Sequence, residues 1–163
     1  MKTIEEMKLE LFGDNLDKFV QSLIDYDIKS KEKYGNNLLH YYIMNCDEIV
    51  HPADVIISEF LKNGLDINDK RKDGRTALYL SVQYQLKEIF VILLEHGADL
   101  DLQNVNGNTP LWEAVVQYKG DGFFIEHLLK KGANSEIVNN YGVSPKSLAK
   151  TIANNDVRRF FLD

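Results

Sequence analysis

The stretch DGRTALYLSVQYQLKEIFVILLEHGADLDL, residues 73–102, decides how this chain folds. It opens on a turn at Gly74, passes through two short segments rich in apolar residues, and closes on Gly97. Much the same pattern returns in NGNTPLWEAVVQ and FFIEHLLKKGANSEI, where Gly107 and Gly132 stand 33 and 35 residues further on. A fixed period of this size indicates a repeat array, in which one supersecondary unit is stacked several times.

Within each copy, cap residues and apolar spacing predict two helices. Thr76 and Thr109 are placed to act as N-caps, and Pro110 falls in the first helical turn, where its missing N–H costs nothing. The second helix carries apolar residues three and four positions apart, which share one face; they are Ile89, Ile92 and Leu93 in one copy and Ile125, Leu128 and Leu129 in the other. Helices this short bury too little apolar surface to be stable alone, so neighbouring units must supply the core.

An earlier copy reads YGNNLLHYYIMN, in which Asn37-Leu38-Leu39-His40 stands in for Thr-Pro-Leu-His. With this period and these tetrapeptides the chain resembles the ankyrin repeat family, whose signature is T-P-L-H-x-A. The resemblance implies an all-α ankyrin-repeat solenoid of about five helix-turn-helix units, with short β-turn tips and terminal units that act as caps. It also implies one domain over residues 1–163, divided into units 1–31 (N-terminal cap), 32–68, 69–101, 102–136 and 137–163 (C-terminal cap).

The second unit departs from the family pattern in two ways. Gly35 and Gly74 are 39 residues apart, about six more than the later period, and the excess falls in CDEIVH, residues 46–51. Tyr42 stands where the pattern has a small residue. We therefore expect Tyr42 to displace a neighbour or point outward, and the first helix of this unit to be displaced or slightly irregular.

Composition limits the kind of partner. The chain of 163 residues is 44% hydrophobic, which is enough to fill the core of one domain. Its formal net charge of −6 and pI near 5.2 argue against a nucleic-acid partner, because binding to phosphates depends on clustered Lys and Arg. A basic partner protein suits this charge better.

The sequence also indicates a compartment. Cys46 is the only cysteine, so no disulfide can form within the chain, and the N-terminus MKTIEEMKLELFGD carries acids where a signal peptide needs an apolar run. No segment approaches the roughly 20 apolar residues that span a bilayer. We expect a cytoplasmic protein without membrane contact; the sequence leaves the oligomeric state open.

The groupings that an enzyme needs are missing. The sequence has no phosphate-binding loop, no dinucleotide-binding glycine motif, no H-E-x-x-H and no nucleophile elbow. Gly120-Asp121-Gly122 is interpreted as a mobile connector between helices rather than a phosphate-binding loop.

His40 occupies the His position of the family tetrapeptide, where the resemblance implies a structural role. Cys46, Asp47, Glu48 and His51 are metal-ligand residue types, but their spacing fits no zinc pattern. We predict no catalytic residue, no metal and no cofactor.

The resemblance places the binding surface on the concave face, which the turn tips and the exposed side of each first helix form. Aromatic side chains are favoured anchors there, because they bury much area for little lost rotamer freedom. Carried onto this chain, the partner-binding residues are Tyr34, Asn36, Tyr41, Met44, Lys72, Asp73, Arg75, Gln83, Tyr84, Asn106, Asn108, Trp112, Val116 and Gln117, with Val105 at one tip.

These observations favour a non-enzymatic module that binds one protein. Resemblance to small bacterial ankyrin proteins suggests an immunity or inhibitor protein that neutralises a cognate basic toxin or nuclease. A first alternative is a secreted effector or scaffold that binds a host protein. A second, from another class, is a metal-dependent regulator or enzyme that uses the insertion from Cys46 to His51.

Overall fold

The computed structural model describes residues 1–152 and 155–162, and within them the chain is a succession of short helices. The α-helices are α1 Ile4–Leu11, α2 Leu16–Leu23, α3 Leu38–Asn45, α4 Ala53–Lys62, α5 Ala77–Gln83, α6 Lys87–Glu95, α7 Pro110–Val116, α8 Phe123–Lys130 and α9 Pro145–Thr151. Two 3-10 segments follow α3 and α9, at Cys46–Glu48 and Asn155–Phe161. The described residues contain no strand, only an isolated bridge between Lys2 and Tyr26. The predicted all-α architecture is confirmed; the proposed unit boundaries stay a prediction.

The helices stack in pairs around one continuous core. The first helices contact each other in the order α1, α3, α5, α7, α9, and each packs against its own second helix. Leu39, Leu78 and Leu111 each lie two residues after an N-cap, and all three are buried. Phe60 and Leu93, each four residues before a glycine, are the corresponding buried pair in α4 and α6. Each of these side chains contributes about 1.5–3 kcal/mol by burial.

Each first helix from α3 onward begins at a side-chain cap. Asn37, Thr76, Thr109 and Ser144 have extended backbones, and each accepts a hydrogen bond from the N–H three residues ahead. Such a cap contributes about 1 kcal/mol to helix stability. The caps therefore fix where every first helix starts, immediately after its turn.

A ladder of backbone hydrogen bonds joins the turn tips, and we call it the turn ladder. The N–H of Lys72 donates to the carbonyl of Tyr34 (3.1 Å), and the N–H of Val105 donates to that of Asp73 (3.0 Å). Asn140 continues the series by donating to the carbonyl of Asn106 (3.0 Å). Successive units are thus held in register at their tips as well as through the core.

The turn ladder requires glycine at the tips. Gly74 has φ of +78°, a left-handed conformation, and a Cβ built on it would lie 2.7 Å from the backbone nitrogen of Val105 in the next turn. Gly142, in the last turn, has φ of +72°, but nothing lies within 4 Å of its Cβ position. Gly74 is therefore constrained by conformation and by its neighbour, Gly142 by conformation alone.

His40 has the structural role that the family tetrapeptide implies. It is 1% exposed, its N–H donates to Asn37 Oδ1 (3.0 Å), and its Nδ1 accepts from the N–H of Asn37 (3.3 Å). Asn37 in turn donates through Nδ2 to Asp69 Oδ2 (3.1 Å), which connects this helix start to the next unit. Burial, with Arg71 nearby, lowers the pKa of His40 to about 4, so the ring is neutral in the folded protein.

Tyr42 points inward, which excludes one of its two expected arrangements. Its side chain is only 2% exposed, and α3 is a regular α-helix through Asn45. The irregularity comes after the helix, in the 3-10 turn Cys46–Glu48 at the start of the longer connector.

The loop at residues 118–122 is anchored at both ends, which differs from the mobility that its glycines predict. The hydroxyl of Tyr118 donates to Asp156 Oδ2 (2.5 Å), in the 3-10 segment after α9. Gly122 is buried, and a Cβ there would lie 2.2 Å from the ring of Phe160. Glycine at position 122 thus leaves space for an aromatic ring and does not indicate a flexible loop.

We expect Gly74→Ala to destabilise the protein by about 3 kcal/mol and Gly142→Ala by about 1 kcal/mol. Both variants place a side chain at positive φ, but only the first forces the next turn away. Urea unfolding followed by far-UV circular dichroism measures the two free energies. Equal losses of unfolding free energy in the two variants would contradict the claim that the next turn leaves no room for a Cβ at Gly74.

We expect the free energy of unfolding to fall by about 2 kcal/mol between pH 7 and pH 5 through His40 alone. Its folded pKa of about 4 lies below the ordinary value of 6.5, so the unfolded chain takes up a proton in this window and the folded chain does not. The contribution is present above pH 6.5 and is lost as pH falls toward 4. Urea unfolding at both pH values tests this: the free energy of unfolding of His40→Asn should not show this loss. The control His96→Asn changes an exposed residue and should lose as much stability between the two pH values as the native chain does.

Candidate protein-binding groove

The groove face is the side of the stack formed by the turn tips and the first helices α3, α5 and α7. Of the fourteen residues predicted to bind a partner, five are exposed: Tyr34, Lys72, Tyr84, Asn106 and Val116. Seven are half-buried: Tyr41, Met44, Asp73, Arg75, Gln83, Trp112 and Gln117. Two are buried: Asn36 and Asn108.

The C-terminal ends of the first helices carry the accessible apolar surface. Met44, Gln83 and Val116 each lie seven residues after an N-cap, so they occupy one row across α3, α5 and α7. Val116 and Tyr84 are each 47% exposed. An aliphatic and an aromatic side chain therefore stand open to solvent at the ends of adjacent helices, in a form suited to contact with another protein.

A buried hydrogen-bond network beneath this row was not predicted from the sequence. The hydroxyl of Tyr79 donates to Glu113 Oε2 (2.7 Å), and Gln117 Nε2 donates to Glu113 Oε1 (2.9 Å). Tyr79 is 2% exposed and Glu113 7%. Burial and the adjacent Glu113 carboxylate raise the pKa of the Tyr79 hydroxyl, which keeps it protonated as a donor. The network joins α5 to α7 and fixes Gln117 at the edge of the groove face.

Charged side chains surround Asp73 at the tip of the third unit. Arg71 Nη2 lies 3.5 Å from Asp73 Oδ2, Arg75 Nη1 lies 4.0 Å from the same oxygen, and Arg75 stacks over the Tyr79 ring at 5.7 Å. Within the described residues, Arg71 Nε, Arg75 Nε and Gln83 Oε1 are buried without a hydrogen-bond partner. Such groups cost free energy until something pairs with them. A partner protein can pair with these atoms only after the side chains move, because the atoms themselves are closed to solvent.

Asn36 and Asn108 do not offer the contact surface expected of them. Asn108 accepts from Asn139 Nδ2 (2.8 Å) through its side chain and donates through its backbone to Asn104 Oδ1 (3.1 Å). Asn36 is 7% exposed, and its N–H donates to Glu32 Oε1 (3.1 Å). Arg75, which follows the turn glycine Gly74, stays half-buried at the groove face, so the place after the glycine does not by itself decide exposure. The Asn108 side chain serves the fold, and Asn36 is too buried to offer contact surface.

Tyr41 faces the first unit rather than the partner side. Its ring packs edge-on against Phe12 (centroids 6.0 Å apart), and the ammonium of Lys8 lies 4.7 Å above it. The position of Tyr41 in the repeat could have indicated this orientation. Tyr41 lies four residues after its N-cap, as do the buried Leu80 and Glu113.

Trp112 shares the place of His40 and Tyr79 in the repeat. The ring is half-buried, and its Nε1 is buried without a partner among the described residues. Only part of the indole is therefore available beside the groove face.

The insertion does not gather a metal site. Across residues 1–152 and 155–162, no group of three or more His, Cys, Asp or Glu side chains could hold a metal ion. Burial, and next the charge of Asp47, raise the pKa of the Cys46 thiol. In the same described ranges, no helix has the length and apolar character needed to cross a bilayer.

Comparison with known proteins gives a consistent family assignment. The sequence model described as ankyrin repeats (3 copies) matches residues 11–104 and 51–139. An ankyrin repeat protein of Variola virus is 31% identical over 137 residues, which cover 81% of this chain and 24% of that protein. An intracellular phospholipase A2 of Caenorhabditis elegans is 26% identical over 161 residues, 91% of this chain and 15% of the enzyme. The chain thus spans a quarter or less of the length of these two relatives.

We expect Tyr79→Phe to destabilise the protein by about 2 kcal/mol, because it removes a donor from a buried carboxylate. Tyr84→Phe is the matched control: its ring is 47% exposed, so its change should stay within about 0.5 kcal/mol. Urea unfolding of both variants beside the native chain measures the difference. Similar values for the two would show that the Tyr79 to Glu113 hydrogen bond contributes nothing.

Proposed function

Since the chain belongs to the ankyrin repeat family, we propose that its groove face grips one protein partner and inhibits it. Ankyrin repeats are protein-binding modules, and the observation that carries the location is the exposure of Tyr84 and Val116 at the ends of α5 and α7, above a rigid buried network. Rigidity favours binding because little conformational entropy is lost when the partner docks. The contact set is Tyr34, Lys72, Tyr84, Asn106 and Val116, with the edges of Asp73, Arg75, Gln83, Trp112 and Gln117.

The partner that we propose is a basic protein, and the role is that of an immunity protein that neutralises a toxin or nuclease. Support comes from the net charge of −6, since opposite net charges speed the encounter of two proteins. In this proposal the chain acts in the cytoplasm and has no catalytic activity of its own. Binding to the groove face of a stack needs no chemical step, and the partner is blocked by being covered.

A second candidate is an effector or scaffold that binds a host protein. The observation that favours it is the match to an ankyrin repeat protein of Variola virus, because a virus is propagated inside a host cell. The two candidates use the same face and differ in the organism that supplies the partner.

We expect the immobilised chain to retain a partner that the double variant Tyr84→Ala/Val116→Ala does not retain. Ile24→Ala is the control, since Ile24 is 69% exposed but lies at the end of α2, outside the turn tips and first helices that form the groove face. The measurement is affinity capture from lysates of the source organism and of a host, followed by mass spectrometry. Truncating two contacts in the middle of an interface weakens binding by about 2 kcal/mol or more.

Equal retention by the double variant and the native chain would remove the groove face from the proposal. A retained basic protein whose activity falls on adding the native chain, but not the double variant, supports the inhibitor role. A retained host protein supports the second candidate.

A further inference from the structure

A pocket of about 440 Å³ opens between the connector that joins α3 to α4 and the connector that joins α5 to α6. We call it the loop pocket; its polar walls are Tyr42, Cys46, Asp47, His51, Gln85 and Glu88. The connectors follow the C-terminal ends of the first helices, whereas the turn tips precede their N-terminal ends. A helix of eight residues is about 12 Å long, so the loop pocket and the turn ladder lie at opposite ends of the units.

The two departures of the second unit from the repeat pattern build this pocket. The longer connector supplies Cys46, Asp47, Ile49 and His51, and Tyr42 is the large residue at a place where its counterparts are small. The facing wall comes from the start of α6. The pocket thus arises from what is particular to this chain, and its volume falls in the range of about 300–1,000 Å³ that ligand sites have.

His51 gives the pocket an unused hydrogen-bonding atom. The residue is 7% exposed, and its Nε2 is buried without a partner among the described residues. A buried imidazole nitrogen that finds no partner in its own chain costs free energy, which a bound group can recover. His51 lines the pocket, so with the proton on Nδ1 the ring can accept a hydrogen bond from a bound group through Nε2.

The charges at the mouth favour a cation. Asp47 and Glu88 line the pocket and are exposed. Lys87 also lies in the wall, but its ammonium is 2.5 Å from Asp121 Oδ2 and sits 4.9 Å above the Phe123 ring, so its charge is engaged with the next unit. Two carboxylates at one opening disfavour an anionic guest.

The remaining lining suits a long side chain with a planar head. Ile49 and Ile89 are buried apolar residues in the wall and can contact an aliphatic stem. Burial, and then the neighbouring Cys46, raise the pKa of Tyr42 to about 12, so its hydroxyl stays neutral and its oxygen can accept a hydrogen bond. Guanidinium has five N–H donors in one plane, and the walls hold several acceptors: Asp47, Glu88, His51 Nε2 and the Tyr42 hydroxyl.

We propose that the loop pocket binds an arginine side chain of a partner protein, between the carboxylates of Asp47 and Glu88 and the buried Nε2 of His51. This second contact site does not depend on the groove face. Gln85 in the pocket wall directly follows Tyr84, so a partner docked at the C-terminal ends of the first helices can engage both sites.

The test is a titration of the ¹⁵N-labelled chain with N-acetyl-L-arginine methylamide, followed by amide chemical shifts. We expect saturable amide shifts at residues 46–51, at residue 53 and at residues 85–89, and binding about tenfold weaker in Asp47→Asn and in Glu88→Gln. Glu95→Gln, at the exposed far end of the same helix α6, is the matched control and should bind as the native chain does. N-acetyl-L-norleucine methylamide, which has an apolar stem and no guanidinium, should give no saturable shift.

Three results would overturn the proposal: no saturable shift with the arginine probe, equal binding in the two carboxylate variants, or the same amides moving with sodium acetate, which would indicate an anion site. Both carboxylates are exposed, so urea midpoints should confirm that the variants fold. Val116→Ala should bind the probe normally, which separates failure of this site from failure of the groove face.

Discussion

The contact between one turn tip and the next is the constraint on which the rest of this structure depends. Each turn passes a backbone hydrogen bond to its neighbour at about 3 Å, from Lys72 to Tyr34, from Val105 to Asp73 and from Asn140 to Asn106. So close an approach leaves no room for a Cβ at Gly35, Gly74 or Gly107. The position of every first helix follows, because its N-cap comes directly after the turn. Local turn geometry thus sets the long-range stacking.

The groove face combines rigidity with incompletely satisfied polar groups. Tyr79, Glu113 and Gln117 are held to one another across two units, whereas Arg71, Arg75 and Gln83 keep buried atoms without partners among the described residues. A fully satisfied surface would gain little from a second protein. Here the scaffold is ordered by its own contacts and the adjoining side chains still have hydrogen bonds to make, a combination that suits a binding surface.

The sequence was sufficient for the parts of the fold that repeat. Glycine spacing and Thr caps predicted paired helices, because these residues act locally. The same pattern was insufficient for the loop at Gly122, since its packing depends on Phe160 in a distant segment. It was also insufficient for Tyr42, whose ring is buried at a place where the other copies have small residues. The same limit applies to the candidate binding site. Exposure of Tyr84 and Val116 agrees with helix position, but burial of Asn108 and the pairing of Tyr79 with Glu113 depend on cross-unit contacts that a single repeat does not reveal.

The anchoring of the loop at residues 118–122 has a consequence for how the stack comes apart. Tyr118 and Gly122 rest on Asp156 and Phe160, so opening of the 3-10 segment Asn155–Phe161 removes contacts from the connector before α8 as well. The start of α8 keeps its packing against α6, where the rings of Phe90 and Phe124 lie 4.9 Å apart. Amide hydrogens of the connector would then exchange with solvent together with those of the 3-10 segment, more than thirty residues further along the chain, while α8 itself stays protected.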